Sequence, residues 1–166
     1  NNDGTPNAMN AAWGGQWDAK EIIISMGAHA TTENLNRCGE FTVAFATKET
    51  MVASDFVGIV SAKNDANKMK KTGWTFMKSE NVNAPVFGDF PMTLECRMIE
   101  KIGEDENGYN IIAEIVNILV DEAYIGADGM PDVEKMELIA YEPVHHGYIA
   151  FGGRVGNAFS DGKKLK

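Results

Sequence analysis

Cysteine is scarce. The 166 residues contain two, Cys38 and Cys96, and no Cys-x-x-Cys pair. With only three histidines beside them, His29, His145 and His146, they lack the spacing of a zinc site. Both are expected as reduced, buried thiols in a cytoplasmic protein. Positive charge is also short: 15 Lys and Arg against 24 Asp and Glu give a net charge of −9. That balance argues against a nucleic-acid partner, though not against a local basic cluster for a phosphate. No apolar run approaches the roughly 20 residues of a membrane-spanning helix, so no membrane role is expected. The opening Asn1-Asn2-Asp3-Gly4 has no signal-peptide pattern. It starts in a turn without Met, which leads us to expect a preceding strand missing from this chain. No Gly-x-Gly-x-x-Gly follows a strand, because Gly152-Gly153 and Gly156 miss the spacing. A phosphate-binding P-loop and a serine nucleophile elbow are absent too.

What remains is an ordinary globular composition, 44% hydrophobic and 23% charged, which excludes disorder and collagen-like repeats. The length predicts one domain over residues 1–166, burying about 70% of the unfolded chain's surface. Asn7–Trp13, built of small residues, reads as a strand that lets a flat group approach its backbone, ended by Gly14-Gly15. Strands are predicted over 21–26, with Ile22-Ile23-Ile24 buried on both faces, and over 41–46. Thr31 or Thr32 is a candidate N-cap for a helix closed by Gly39. A second helix is predicted over 48–60 with Val52, Phe56 and Ile59 inward. A short polar helix or turn follows over 65–71.

Met92–Met98 alternates, with Thr93, Glu95 and Arg97 on a wet face. Tyr109–Val120 is apolar on both faces, so one row needs a helix or a second subunit to cover it. Residues 148–166 read as irregular. Strands outnumber helices, and the class is mainly β with a few helices.

His29-Ala30-Thr31-Thr32-Glu33-Asn34 places hydroxyls and an amide at a helix start, a ready anion site or simply a capped helix. Ser61, Lys63 and Lys68 follow in a polar stretch that reads either as a solvated face or as point charges for the same anion. His145-His146 reads as two metal ligands or, as is usual for adjacent histidines in a turn, as solvent-facing or capping.

Together, the segments Asn7–Gly15, Thr31–Leu35, Phe41–Ala44, Asp55–Ser61 with Lys68-Met69 and Thr72-Gly73, Pro91–Cys96, and Val155–Lys163 resemble the flavin reductase-like FMN-binding split-barrel family, nearest its flavoredoxin-type branch. The resemblance implies a six-stranded antiparallel Greek-key barrel, a homodimer and a tightly bound FMN near the dimer interface. It places Asn10, Ala11, Ala12 and Trp13 along the isoalloxazine edge. His29, Ala30, Thr31, Thr32 and Asn34 would surround the ribityl chain and phosphate. Ser61, Lys63 and Lys68 would complete the phosphate site, with His146 and Tyr148 beside the ring.

The implied activity is hydride transfer from NAD(P)H to the flavin and onward to free flavin, ferric iron or a redox protein. Because the flavin carries that chemistry, no general acid or base is named. An electron carrier that binds FMN but no pyridine nucleotide stays open, as does a non-enzymatic barrel holding another planar ligand such as haem.

Overall fold

A computed structural model describes residues 1–166. In chain order the elements are β1 (Gly14–Asp18), β2 (Glu21–Gly27), α1 (Ala30–Cys38), β3 (Glu40–Ala44), α2 (Met51–Ile59), α3 (Lys68–Thr72), β4 (Phe76–Lys78), β5 (Pro85–Phe87), β6 (Met92–Asp105), β7 (Gly108–Val120), β8 (Ile139–Glu142) and β9 (Gly147–Ala150). The main sheet is antiparallel and has five strands in the order β1-β2-β7-β6-β3. Two small hairpins, β4-β5 and β8-β9, flank it. No helix is long and apolar enough to cross a membrane.

The core sits where β2, β6 and β7 meet α1. Ile22, Ile24 and Met26 of β2 pack with Leu94 and Cys96 of β6, Tyr109, Ile111 and Ala113 of β7, and Leu35 of α1. Ile22, Ile24 and Ile111 supply the β-branched part of this core, side chains that pack well on a pleated surface. Desolvation in this core pushes the Cys96 thiol up to about 12; it is a buried, inert thiol, as expected. Cys38 is only half-buried.

Three expectations change. Asn7–Trp13 is irregular and unpaired apart from its end, where the Ser25 N–H donates to the Trp13 carbonyl at 2.8 Å. The strand begins at Gly14 instead of ending there. A Cβ on Gly14 would meet the Ile23 carbonyl oxygen at 2.9 Å, so glycine permits the close pairing of β1 on β2. On α2 the inward residues are Ser54 and Val57, while Val52 and Ile59 face outward. Of the predicted stripe only Phe56 is half-buried; Val52 and Ile59 are left uncovered.

Thr93 and Glu95 do not form a wet face; both are buried. A bulge at Glu95/Cys96, where Asn117 and Ile115 face successive β6 residues, breaks the simple alternation. Glu95 accepts from Ser79 Oγ, from Asn81 Nδ2 at 2.7 Å and from Asn117 Nδ2 at 2.6 Å. Burial pushes its carboxyl up, but the hydrogen bonds from Ser79, Asn117 and Asn81 outweigh it and hold the group below the usual carboxylate range.

A folded value below the unfolded one means that this contribution is complete at neutral pH and disappears as pH falls through the carboxylate range. Glu95→Leu orphans three donors and is expected to lower unfolding stability by on the order of 3 kcal/mol at pH 7. Denaturant melts at pH 7 and pH 4 check it: the gap between variant and parent narrows at the lower pH.

Candidate functional site

Three segments converge on one cleft: the irregular chain before β1, the start of α1, and the connection from α2 to α3. Asn7, Asn10, His29, Ala30 and Thr31 form one wall, and Gly58, Ser61 and Lys68 stand on the other. Its volume is about 160 Å³, below the roughly 300–1,000 Å³ of pockets that enclose a whole drug-sized ligand. The cleft suits one polar end of a ligand.

The helix start is built differently from the expectation. His29, not a threonine, is the N-cap, and its imidazole lies over Gly27, where a Cβ would meet Nε2 at 2.9 Å. Thr32 is buried; its hydroxyl donates to the Gly27 carbonyl at 2.5 Å and accepts from the His29 N–H at 3.2 Å. That hydroxyl secures the turn into α1 and has no proton left for a ligand. Thr32→Ala is therefore expected to cost about 1–2 kcal/mol of stability, as loss of a helix-start bond does. FMN and riboflavin should weaken together, if at all, in paired titrations.

Thr31 does face the cleft, and its Oγ1 accepts from Asn7 Nδ2 at 3.0 Å. The other end of that amide, Asn7 Oδ1, is buried without a hydrogen-bond partner. A buried, unpaired polar atom is costly unless something meets it.

Lys68 carries the clearest signal. It is 3% exposed, forms no ion pair, and donates to the Ala8 carbonyl at 2.6 Å. Burial holds its pKa below the ordinary lysine range. A buried cation in a chain of net charge −9, with no carboxylate beside it, is an electrostatic cost that an anion would offset. The solvated-face reading of Lys68 is thus overturned. It holds for Lys63, which is exposed and pairs with Glu33. Ser61 lines the cleft, and its Oγ accepts from the Lys63 N–H at 3.3 Å. Asn34 lies outside the cleft, its amide tied to Asn1 and Arg37.

Beyond Asn10 the chain opens onto aromatic surface. Ala11 and Ala12 are exposed, and Trp13 is 60% exposed, so Trp13 is not a core residue. Its ring meets Tyr141 edge-on with centroids 6.1 Å apart. Tyr141 in turn contacts Tyr148, and its hydroxyl lies 2.7 Å from His146 Nδ1. A shallow depression runs from Trp13 past Gly14, Gly15, Ile23 and Ser25. The site therefore has a polar end holding one buried cation and a flat, exposed aromatic end, with Asn10 between them.

The sequence matches the family model of the flavin reductase-like domain over residues 1–133. The chain belongs to this family. Flavoredoxin of Desulfovibrio vulgaris (Miyazaki F) is 33% identical, with a TM-score of 0.86 over 94% of this chain and 84% of that one. Flavoredoxin from Methanosarcina acetivorans is 24% identical, also at 0.86, over 96% and 85%. Nitrilotriacetate monooxygenase component B from Bacillus cereus shares the fold at 20% identity and a TM-score of 0.75, over 91% and 79%. Comparison with curated proteins gives no match.

The split-barrel fold and family expected from the sequence motifs are thereby borne out. Asn7, the Ala8 carbonyl and Tyr141 join the site without having been singled out as site residues, as does Asp55, which accepts from the Tyr148 hydroxyl. Asn7 and Asn10, three apart in a run of small residues, were its legible trace.

Proposed function

We propose that the protein binds FMN and works as an NAD(P)H-dependent flavin oxidoreductase that passes electrons to free flavin, ferric iron or a redox protein. The observation that carries the reading is the buried, unpaired Lys68 at a cleft also lined by Thr31, Ser61 and Asn7, whose buried Oδ1 has no partner. This donor set fits a phosphate: a cation as point charge, hydroxyls as donors, and a helix start lining the same cleft. Asn7 Oδ1 accepts, so it fits a ribityl hydroxyl. When bound, FMN supplies the two-electron chemistry that links a hydride donor to an acceptor.

The chain's own residues then have distinct tasks. Lys68, Thr31 and Ser61 hold the phosphate, assisted by the backbone at His29 and Ala30. Asn10, Ala11 and Ala12 border the ring through small side chains and backbone groups. Trp13 with Tyr141, which His146 and Tyr148 flank in turn, offers a flat aromatic wall along one edge of the ring. Lys63 and Asn34 stand apart from the cleft and are assigned no direct contact. The outward Val52, Ile59 and Ile118 support a homodimer that covers them.

A second reading is favoured by the acidic surface and the 33% identity to a flavoredoxin: an electron carrier that docks on a basic protein and takes no pyridine nucleotide. Adding NADH or NADPH to the FMN-loaded protein without oxygen separates the two. Rapid bleaching of the yellow colour is the result expected of the reductase. Bleaching by dithionite alone would establish the carrier instead.

A further inference from the structure

Asn10, Tyr148 and Asp55 form a hydrogen-bonded chain at the cleft wall. Asn10 Nδ2 lies 3.2 Å from the Tyr148 hydroxyl, and that hydroxyl lies 2.7 Å from Asp55 Oδ1. The chemistry of the three groups sets the direction of the chain. An ionised carboxylate only accepts, so the single phenolic proton goes to Asp55. The phenolic oxygen then has only lone pairs to offer Asn10, and Asn10 must answer with its NH₂. The amide nitrogen is thereby turned to Tyr148, which leaves the amide oxygen without a protein partner.

Burial, followed by Asp55, pushes the Tyr148 hydroxyl up to about 12, so the proton stays on the phenol at any physiological pH. Packing supports the same arrangement. A Cβ at Gly58 would come 2.9 Å from Asn10 Cβ, so the missing side chain lets Asn10 sit against α2. Asp55, one turn earlier on the same helix, receives the hydroxyl.

Given the FMN reading above, we propose that Tyr148 and Asp55 are positioning residues that fix Asn10 with its amide oxygen presented to the cleft, as the acceptor for a hydrogen-bond donor of the flavin. Two flavin groups have that chemistry, the imide N–H of the ring and the hydroxyls of the ribityl chain. Without the Tyr148 hydroxyl the Asn10 amide is free to turn over, and its NH₂ would then oppose the ligand's donor. The role of Tyr148 thus runs through Asn10 and vanishes when Asn10 is removed.

The test is a double-mutant cycle on FMN affinity, read by quenching of FMN fluorescence, with melting temperatures and bound-flavin absorption spectra for every variant. Tyr148→Phe and Asn10→Ala should each weaken FMN about three- to ten-fold, the range of one neutral hydrogen bond. They should also shift the bound-flavin spectrum alike. The double variant should bind no more weakly than Asn10→Ala alone. Asp55→Asn, which can donate as well as accept, should release the direction of the chain and match Tyr148→Phe. With N3-methylated FMN, loss of the Tyr148→Phe effect assigns the donor to the ring imide; an undiminished effect assigns it to a ribityl hydroxyl. Losses that add in the double variant, or a lowered melting temperature with unchanged FMN affinity, overturn the positioning role and leave the FMN reading standing. A parent protein that binds no FMN overturns both.

Discussion

Lys68→Met is expected to weaken FMN by about ten- to a hundred-fold and to leave riboflavin almost untouched. A hydrogen bond to a charged group is worth about 1.5–3 kcal/mol, which converts to that range of affinity. Riboflavin lacks the phosphate, so it never receives this interaction. The same change should not harm the fold. Lys68 is buried with no carboxylate partner, and its charge is anchored only by the Ala8 carbonyl. Methionine keeps the length of the stem and removes a desolvated charge, so the ligand-free protein should melt at the same temperature or higher. Paired FMN and riboflavin titrations on parent and variant check both halves. Equal losses for the two ligands would show that Lys68 acts through packing and holds no phosphate.

Ile118→Lys is expected to convert a homodimer into a folded monomer with weakened FMN binding. Ile118 is 51% exposed near the end of β7, although it lies within an apolar strand beside Leu119, which is also exposed. Val52 and Ile59 on α2 add further uncovered apolar surface. A stable interface needs at least roughly 1,200 Å² of buried surface, and a lysine within it would carry an unpaired charge away from water. Sedimentation at micromolar concentration reads the outcome directly. A monomeric parent would remove the dimer, and a variant that sediments like a dimeric parent would place Ile118 outside the interface.

The sequence made the central strands legible because burial on both faces leaves a plain signature. Ile22-Ile23-Ile24 and Ile111-Ile112-Ala113 pair directly across β2 and β7. Gly39 marked the end of α1 correctly, and Gly73 closes α3 in the same way, each in the left-handed region that glycine reaches without strain. Other features depended on what lay across the fold. Glu95 sits in an alternating strand whose period predicts a wet face, and only the bulge and the 79–81 loop explain its burial.

Lys68 is followed by Met69-Lys70-Lys71, and such a cluster ordinarily faces water. Its position at the first turn of α3 aims it at Ala8 instead. β1 escaped notice because an exposed edge strand of Gly14-Gly15-Gln16-Trp17-Asp18 has little strand propensity. The β8-β9 hairpin was hidden by Pro143 and two histidines, with His146 in the left-handed region at φ 55°. The site was visible as an ordered set of motifs. Its wiring, in which Thr32 turns inward while Asn7 and Lys68 turn toward the cleft, depends on partners distant in the chain.

The most direct measurement is an FMN titration of the ligand-stripped protein, followed by flavin fluorescence and the visible spectrum, with riboflavin titrated in parallel. We predict saturable binding of one FMN per chain, a perturbed flavin spectrum, and affinity for riboflavin at least about ten-fold weaker because Lys68 has no phosphate to meet. A protein that stays colourless and leaves FMN fluorescence unchanged at saturating concentration would contradict the account.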